Sequence, residues 1–248
     1  ASAQWLYVKR VVEQTPLSAW GAVTRALPSL PNVASADAVD ATLILPALYA
    51  DEQAITQWRD RYADGLRTIA KDLPHSTLAA MERLDCIRHT AFQLAYHGRD
   101  DLVLQTQRGD LLRALAQPLE PSNTRAVCKP DDPKRIRVGF VSKHIRDCTV
   151  GHYFKRFMTD LGDDCIEVFI YACGARDAFT ADVAKRADHT RFFDGDTPTL
   201  STVSAAIAHD ALDVLIYPEI GMEPLIEKLA AMRLAPLQCA LWGHPVTT

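Results

Sequence analysis

With 248 residues, 48% of them hydrophobic and 23% charged, the chain has the composition of a soluble globular protein with room for one large domain or two small ones. A formal net charge of −4 offers no basic field for nucleic acid. No apolar run reaches the roughly 18 residues that a membrane span needs, so a membrane partner is set aside with nucleic acid. The amino terminus, Ala1-Ser-Ala-Gln-Trp-Leu-Tyr-Val-Lys-Arg10, lacks the charged-then-apolar order of a signal peptide. The cysteines, Cys86, Cys128, Cys148, Cys165, Cys173 and Cys239, include no C-x-x-C pair. That suits reduced thiols in a cytoplasm better than a disulfide frame or a zinc knuckle.

Residues 1–120 read as helical. The first thirty suggest a helix broken at Pro16 and ended near Pro28. Ile55, Trp58, Tyr62, Leu66, Ile69 and Leu73 recur every three or four residues and predict a helix over 53–73. Leu84, Ile87, Phe92 and Leu94 suggest a second over 81–96, with Gly98 as its stop. A third covers 102–115. No clear internal repeat emerges, although short helical pairs suit the end of a helical solenoid.

Residues 121–133 form a polar, proline-rich linker. The period then changes. Strands are expected at 135–142, 165–172, 189–193, 212–217 and 237–242, alternating with helices at 151–161, 178–187, 200–209 and 224–232. Strands alternating with helices predict a parallel, doubly wound α/β sheet over 134–248.

That topology points to a crevice at the strand carboxyl ends. The loops placed there are 143–151, 173–177, 218–223 and 243–248. They carry His144, Asp147, Cys148, Thr149, Glu219, Gly221, His244 and Pro245, with His152 just beyond. The 143–152 loop reads either as an ordinary helix start, capped by Asp147 or Thr149, or as a polar cradle for a sugar or phosphate. His144, Cys148 and His152 are spaced by four, but His144 precedes the helix and no fourth ligand lies near, so no metal is expected. Cys148 reads as a thiol activated beside His152 or as a semi-buried cysteine. Glu219 is a candidate base or sugar-hydroxyl acceptor. In Gly243-His244-Pro245, glycine permits close approach of a ligand and His244 can donate to it; a plain turn out of the strand also accounts for the triplet. Neither a G-x-G-x-x-G nor a Walker A pattern is present, which argues against a nucleotide site built by this region alone.

Several segments resemble the O-GlcNAc transferase and SPINDLY-like protein glycosyltransferases. They are Arg135-Ile-Arg-Val-Gly-Phe-Val-Ser142, Glu167 with Phe169-Ile-Tyr171, Leu212-Asp-Val-Leu-Ile216, Arg233-Leu-Ala-Pro-Leu-Gln238 and Trp242-Gly-His-Pro-Val-Thr-Thr248. Trp58-Arg-Asp-Arg-Tyr62 and Leu94-Ala-Tyr-His-Gly-Arg-Asp100 resemble the tail of that family's helical repeats. The likeness spans about residues 48–248. It implies a GT-B fold, of which residues 134–248 would be the Rossmann-like amino-terminal lobe, with the nucleotide bound mainly by a second lobe missing from this chain. The implied activity is transfer of a sugar, GlcNAc foremost, from a UDP-sugar to serine or threonine of a protein or peptide acceptor. No cofactor is implied, and the chain alone is not expected to be active. The family also includes bacterial enzymes that transfer glucose to asparagine.

The resemblance places the Trp242-Gly243-His244-Pro245 turn against the donor sugar; Thr149 and Glu219 stand as further substrate-contact candidates on the loop reading alone. His144, Cys148 and His152 line the acceptor side as catalytic candidates. Where related sequences carry an aspartate and then a histidine, this chain has His144 and Cys148. Cysteine does not replace a neutral histidine that hydrogen-bonds both ways. The alternative reading is therefore a non-catalytic protein-interaction module with a degenerate glycosyltransferase lobe.

Overall fold

The computed structural model describes residues 39, 42–120, 135–193 and 199–244. They fall into two compact units, divided between Leu115 and Ala116. The helix predicted within the first thirty residues and the 121–133 linker lie outside the described residues.

In the helical unit, α1 (Glu52–Asp72) opens on Asp51, whose carboxylate accepts the Ala54 amide at 2.7 Å. Glu52 in its first turn and Lys71 in its last complement the helix dipole. Trp58, Tyr62, Leu66 and Ile69 form its buried stripe, each at most 3% exposed. Full burial of such side chains stabilises by about 1.5–3 kcal/mol apiece. The helix predicted over 81–96 is instead two pieces, α2 (Ala80–Asp85) and a 3-10 turn at Phe92–Tyr96. The step from Ile87 to Phe92 is five residues, which leaves a helical stripe, and the Thr90 hydroxyl accepts the Phe92 amide to turn the chain. Leu84, Ile87 and Leu94 are nevertheless all buried. Gly98 follows with φ +63°, the left-handed conformation that suits a helical stop. The third helix, α3, runs Leu102–Ala116.

The second unit is the expected α/β sheet. It contains β1 (Ile136–Ser142), α4 (Thr149–Thr159), β2 (Ile166–Ala172), α5 (Ala178–Arg186) and β3 (His189–Phe192). There follow α6 (Leu200–Asp210), β4 (Val214–Tyr217), α7 (Pro224–Ala231) and β5 (Leu237–Ala240). Among the described residues the strand order is β3-β2-β1-β4-β5 and every neighbouring pair is parallel. Val138 stands beside Val168 and Val214, and Phe140 beside Ile170 and Ile216. This explains why the central strands read as near-continuous apolar runs: both faces are covered. Phe154 and Met158 of α4 and Val183 of α5 pack on one face with Phe140 and Ile170.

The chain winds from β1 outward to β2 and β3, then returns to β4 on the other side of β1. The switch point therefore lies between the carboxyl ends of β1 and β4, where an open α/β sheet leaves a crevice.

Candidate functional site

Ser142 ends β1 and Glu219 follows β4, so strand order brings them together across 77 residues. The Ser142 hydroxyl donates to Glu219 Oε1 at 2.8 Å, and the Lys143 amide donates to the same oxygen at 3.2 Å. The His144 amide donates to Ser142 Oγ at 2.8 Å. Lys143 Nζ reaches Glu223 Oε2 at 2.7 Å, and His144 Nε2 stands 3.9 Å from Glu223 Oε1. The neighbouring loops are braced against these. The Gly243 amide donates to the Pro218 carbonyl at 2.9 Å, and any β-carbon at Gly243 would collide with that carbonyl. A β-carbon at Gly174 would likewise strike the Lys143 carbonyl. Thr180 Oγ1 donates to the Ile145 carbonyl at 2.6 Å. These main-chain contacts leave the loops little freedom to rearrange.

Electrostatics follow enclosure. Glu219 is wholly buried, and burial pushes its carboxyl up to about 8, against the pull of the Ser142 and Lys143 hydrogen bonds. Burial and the Glu219 charge push the Cys173 thiol up to about 12. Burial lowers His144, with Glu223 partly opposing it, so its imidazole is neutral near pH 7. His144 Nε2 is enclosed and makes no hydrogen bond among the described residues. His244 is also buried and lowered by burial, while a hydrogen bond with the Ile220 main chain acts the other way.

The structure thus gathers His144, Glu219, Gly243 and His244 at one edge of the sheet. Cys148 joins them through its Sγ, 3.5 Å from the His144 carbonyl. His152 does not: its side chain is 63% exposed and pairs with Asp147 Oδ1 at 2.7 Å. Neither Asp147 nor Thr149 caps α4, contrary to the sequence expectation. Cys148 occupies the cap with extended backbone and supplies no capping hydrogen bond from its side chain, and Thr149 is already helical and exposed. Asp147 is diverted because its carboxylate holds His152 and its amide donates to Asp177, the residue that caps α5. Trp242 lies past the end of β5, 62% exposed, with its ring edge-on to Phe154 and Phe157. Pro245 lies outside the described residues. Among the described residues no group of three His, Cys, Asp or Glu side chains is arranged to hold a metal, and no helix is long and apolar enough to cross a membrane.

Ser142, Lys143 and Glu223 belong to the site although no sequence pattern singles them out. Lys143 and Glu223 bound two of the loops expected at the strand carboxyl ends. What links them is the adjacency of β1 and β4, and no local pattern carries that.

The fold and the placement of these side chains define a doubly wound α/β unit with a cluster of polar side chains at its switch point. The chain is similar in sequence to O-GlcNAc transferases. It is 26% identical over 117 residues to the probable UDP-N-acetylglucosamine–peptide N-acetylglucosaminyltransferase SEC of Arabidopsis thaliana, a match covering 46% of this chain and 12% of that protein. Among solved structures, a lysine-to-methionine mutant of the Thermobaculum terrenum O-GlcNAc transferase aligns with 98% of this chain and 50% of its own, at 18% identity and a TM-score of 0.46. No family model matches the chain. The chain therefore spans a small fraction of the curated relative and half of the solved one.

Proposed function

We propose that the chain is the amino-terminal part of a protein glycosyltransferase, with its α/β unit as the amino-terminal lobe of a GT-B enzyme. The donor is a UDP-sugar, UDP-GlcNAc foremost, and the acceptor is a serine or threonine hydroxyl of a protein. The observation that carries the reading is the similarity to a peptide N-acetylglucosaminyltransferase, in a chain whose parallel sheet gathers polar side chains at its switch point.

In this reading the acceptor oxygen attacks the anomeric carbon, the bond from that carbon to the diphosphate breaks, and UDP departs with the electron pair. The acceptor proton passes to a neutral base at the crevice or to water. His144 fits the base role best, because its imidazole is neutral near pH 7 and its side chain stays 13% exposed at the loop edge, although its Nε2 is enclosed and the acceptor must approach the exposed side of the ring. Such a base contributes about 10²–10⁴-fold, so most of the acceleration falls to positioning and to stabilising the departing diphosphate. That stabilisation is assigned to a second lobe, since the loops of this one hold no glycine-rich phosphate cradle. No metal or cofactor takes part.

The test is a transfer assay on the full-length polypeptide, with UDP-GlcNAc and then UDP-glucose as donors and a library of serine- and threonine-containing peptides as acceptors. A peptide mass gain of one N-acetylhexosamine, with stoichiometric UDP release, is expected. Peptide binding without UDP release from either donor would overturn the reading. That outcome would favour the interaction-module alternative, which Cys148 at the start of α4 supports.

A further inference from the structure

The buried carboxyl of Glu219 has no part in the transfer step above, yet it sits beneath the crevice with full enclosure. Its surroundings come from four strand ends. Ser142 closes β1 and Lys143 follows it, Cys173 follows β2, and Glu223 lies on its own loop after β4. Gly243, after β5, backs closely onto its side chain. A sugar hydroxyl has no route to a wholly enclosed carboxyl whose Oε1 already accepts two hydrogen bonds. Glu219 instead heads a short relay: its Oε1 accepts the Ser142 hydroxyl, and Ser142 Oγ accepts the His144 amide, each at 2.8 Å. The hydroxyl is thereby oriented, with its proton committed to Glu219 and its lone pair to His144. The next side chain in line is an imidazole with a free, enclosed Nε2.

We propose that Glu219 is a positioning residue that acts through Ser142 to hold the His144 imidazole in its enclosed place at the crevice edge. Its bearing on catalysis rests on the glycosyltransferase reading; the positioning itself rests on geometry. An enclosed nitrogen with no partner is unfavourable, so the loop needs an anchor to keep it there. The relay supplies that anchor from the far side of β1. Lys143, bonded by its amide to Glu219 and by its ammonium to Glu223, fixes the same turn a second time.

The readout is the titration of His144 followed by NMR of the histidine ring protons, its resonance identified by loss in H144Q. The groups facing it are Glu223, Arg146 and Lys143. In E219A and in S142A the loop loosens, water reaches the ring, and the His144 midpoint rises by about half a pH unit or more. The double variant rises no further than either single one, because both break the same relay. E219Q keeps an acceptor oxygen for Ser142 and restores the wild-type midpoint. An unchanged His144 midpoint in folded S142A overturns the proposal. So does a fall in E219A, which would mark Glu219 as a charge acting through space. S142A carries the test alone if E219A fails to fold. Because no step depends on sugar transfer, an inactive enzyme with the expected titrations would sink the glycosyltransferase reading and leave the positioning role standing.

Discussion

Arg59 and Asp101, 42 residues apart, form an ion pair of 2.5 Å in the helical unit with only 11% and 19% of their side chains exposed. The same guanidinium donates to the Asp100 carbonyl at 2.6 Å and lies 3.4 Å from His97 Nδ1. In return, Arg99 donates to the Thr56 hydroxyl at 2.8 Å and the Glu52 carbonyl at 3.2 Å. The two helical motifs read from the sequence, around Trp58–Tyr62 and Leu94–Asp100, are thus one clamp. Removing Arg59 leaves a part-buried carboxylate without its partner, so R59A is expected to destabilise this unit by about 2–3 kcal/mol. D101N, which keeps an acceptor oxygen, should lose less. Urea unfolding followed by far-UV circular dichroism checks both; equal midpoints for R59A and wild type would refute it.

The alternation of strands and helices is legible in the sequence because buried parallel strands leave short apolar runs between amphipathic helices, as in Val138–Val141 and Val168–Ala172. Where periodicity is weak it misleads. The 81–96 stretch keeps its buried residues, but its helix ends at Asp85 and the chain turns again at Thr90, whose hydroxyl accepts the Phe92 amide without disturbing the apolar count. The candidate site is legible only at the level of loops. Which loops touch depends on β4 returning to lie beside β1, and so the bond from Lys143 to Glu223, spanning 80 residues, has no signal in either local segment. The cap of α4 escapes a sequence reading for a similar reason, since the Asp147 carboxylate is claimed by His152 and its amide by Asp177 of the next loop.

Glu219 makes stability depend on pH in a definite direction. Its folded carboxyl titrates near 8 against an ordinary value of 4.5, so the folded state binds the extra proton between those limits. The stabilisation is complete below about pH 4.5 and is lost as pH rises through 8. It amounts to a few kcal/mol, because each tenfold difference in proton affinity between the folded and unfolded chain contributes about 1.4 kcal/mol. His144 and His244, lowered by burial, act oppositely, their contribution being present above pH 6.5 and lost as pH falls. Comparing wild type with E219Q isolates the carboxyl. The difference in urea midpoint should swing toward E219Q as pH rises from about 5 to about 8, and a constant difference would place the Glu219 titration elsewhere.

Phe154 is fully buried and is also the platform for the exposed Trp242 ring, 5.2 Å between centroids. F154A is expected to lose about 3–5 kcal/mol from the cavity it opens. It should also free the Trp242 indole from its edge-on contact. Subtracting the emission of a W242F background from each protein isolates that indole, and F154A should then show altered intensity and easier quenching by acrylamide. Unaltered quenching would mean that Phe157 alone holds the ring.

Asp210 ties the far side of the sheet together. Its side chain is 4% exposed, accepts the Tyr171 hydroxyl at 2.7 Å and forms a bidentate pair with Arg191. Burial alone would raise its carboxyl, but the Arg191 guanidinium, Tyr171 and His209 outweigh that and hold it below the ordinary value. A lowered acid stabilises the fold above its unfolded value, near 3.8, and the stabilisation is lost as pH falls through the folded value. Y171F removes one bond and leaves the ion pair, so about 1 kcal/mol is expected at neutral pH. D210A leaves both the tyrosine hydroxyl and the guanidinium unpaired, and should lose about 3 kcal/mol or more. Thermal melts at about pH 7 and about pH 3 separate the two effects. The gap between D210A and wild type should narrow at the acid end, because acid begins to undo in the wild type the same charged bond that the substitution has already removed.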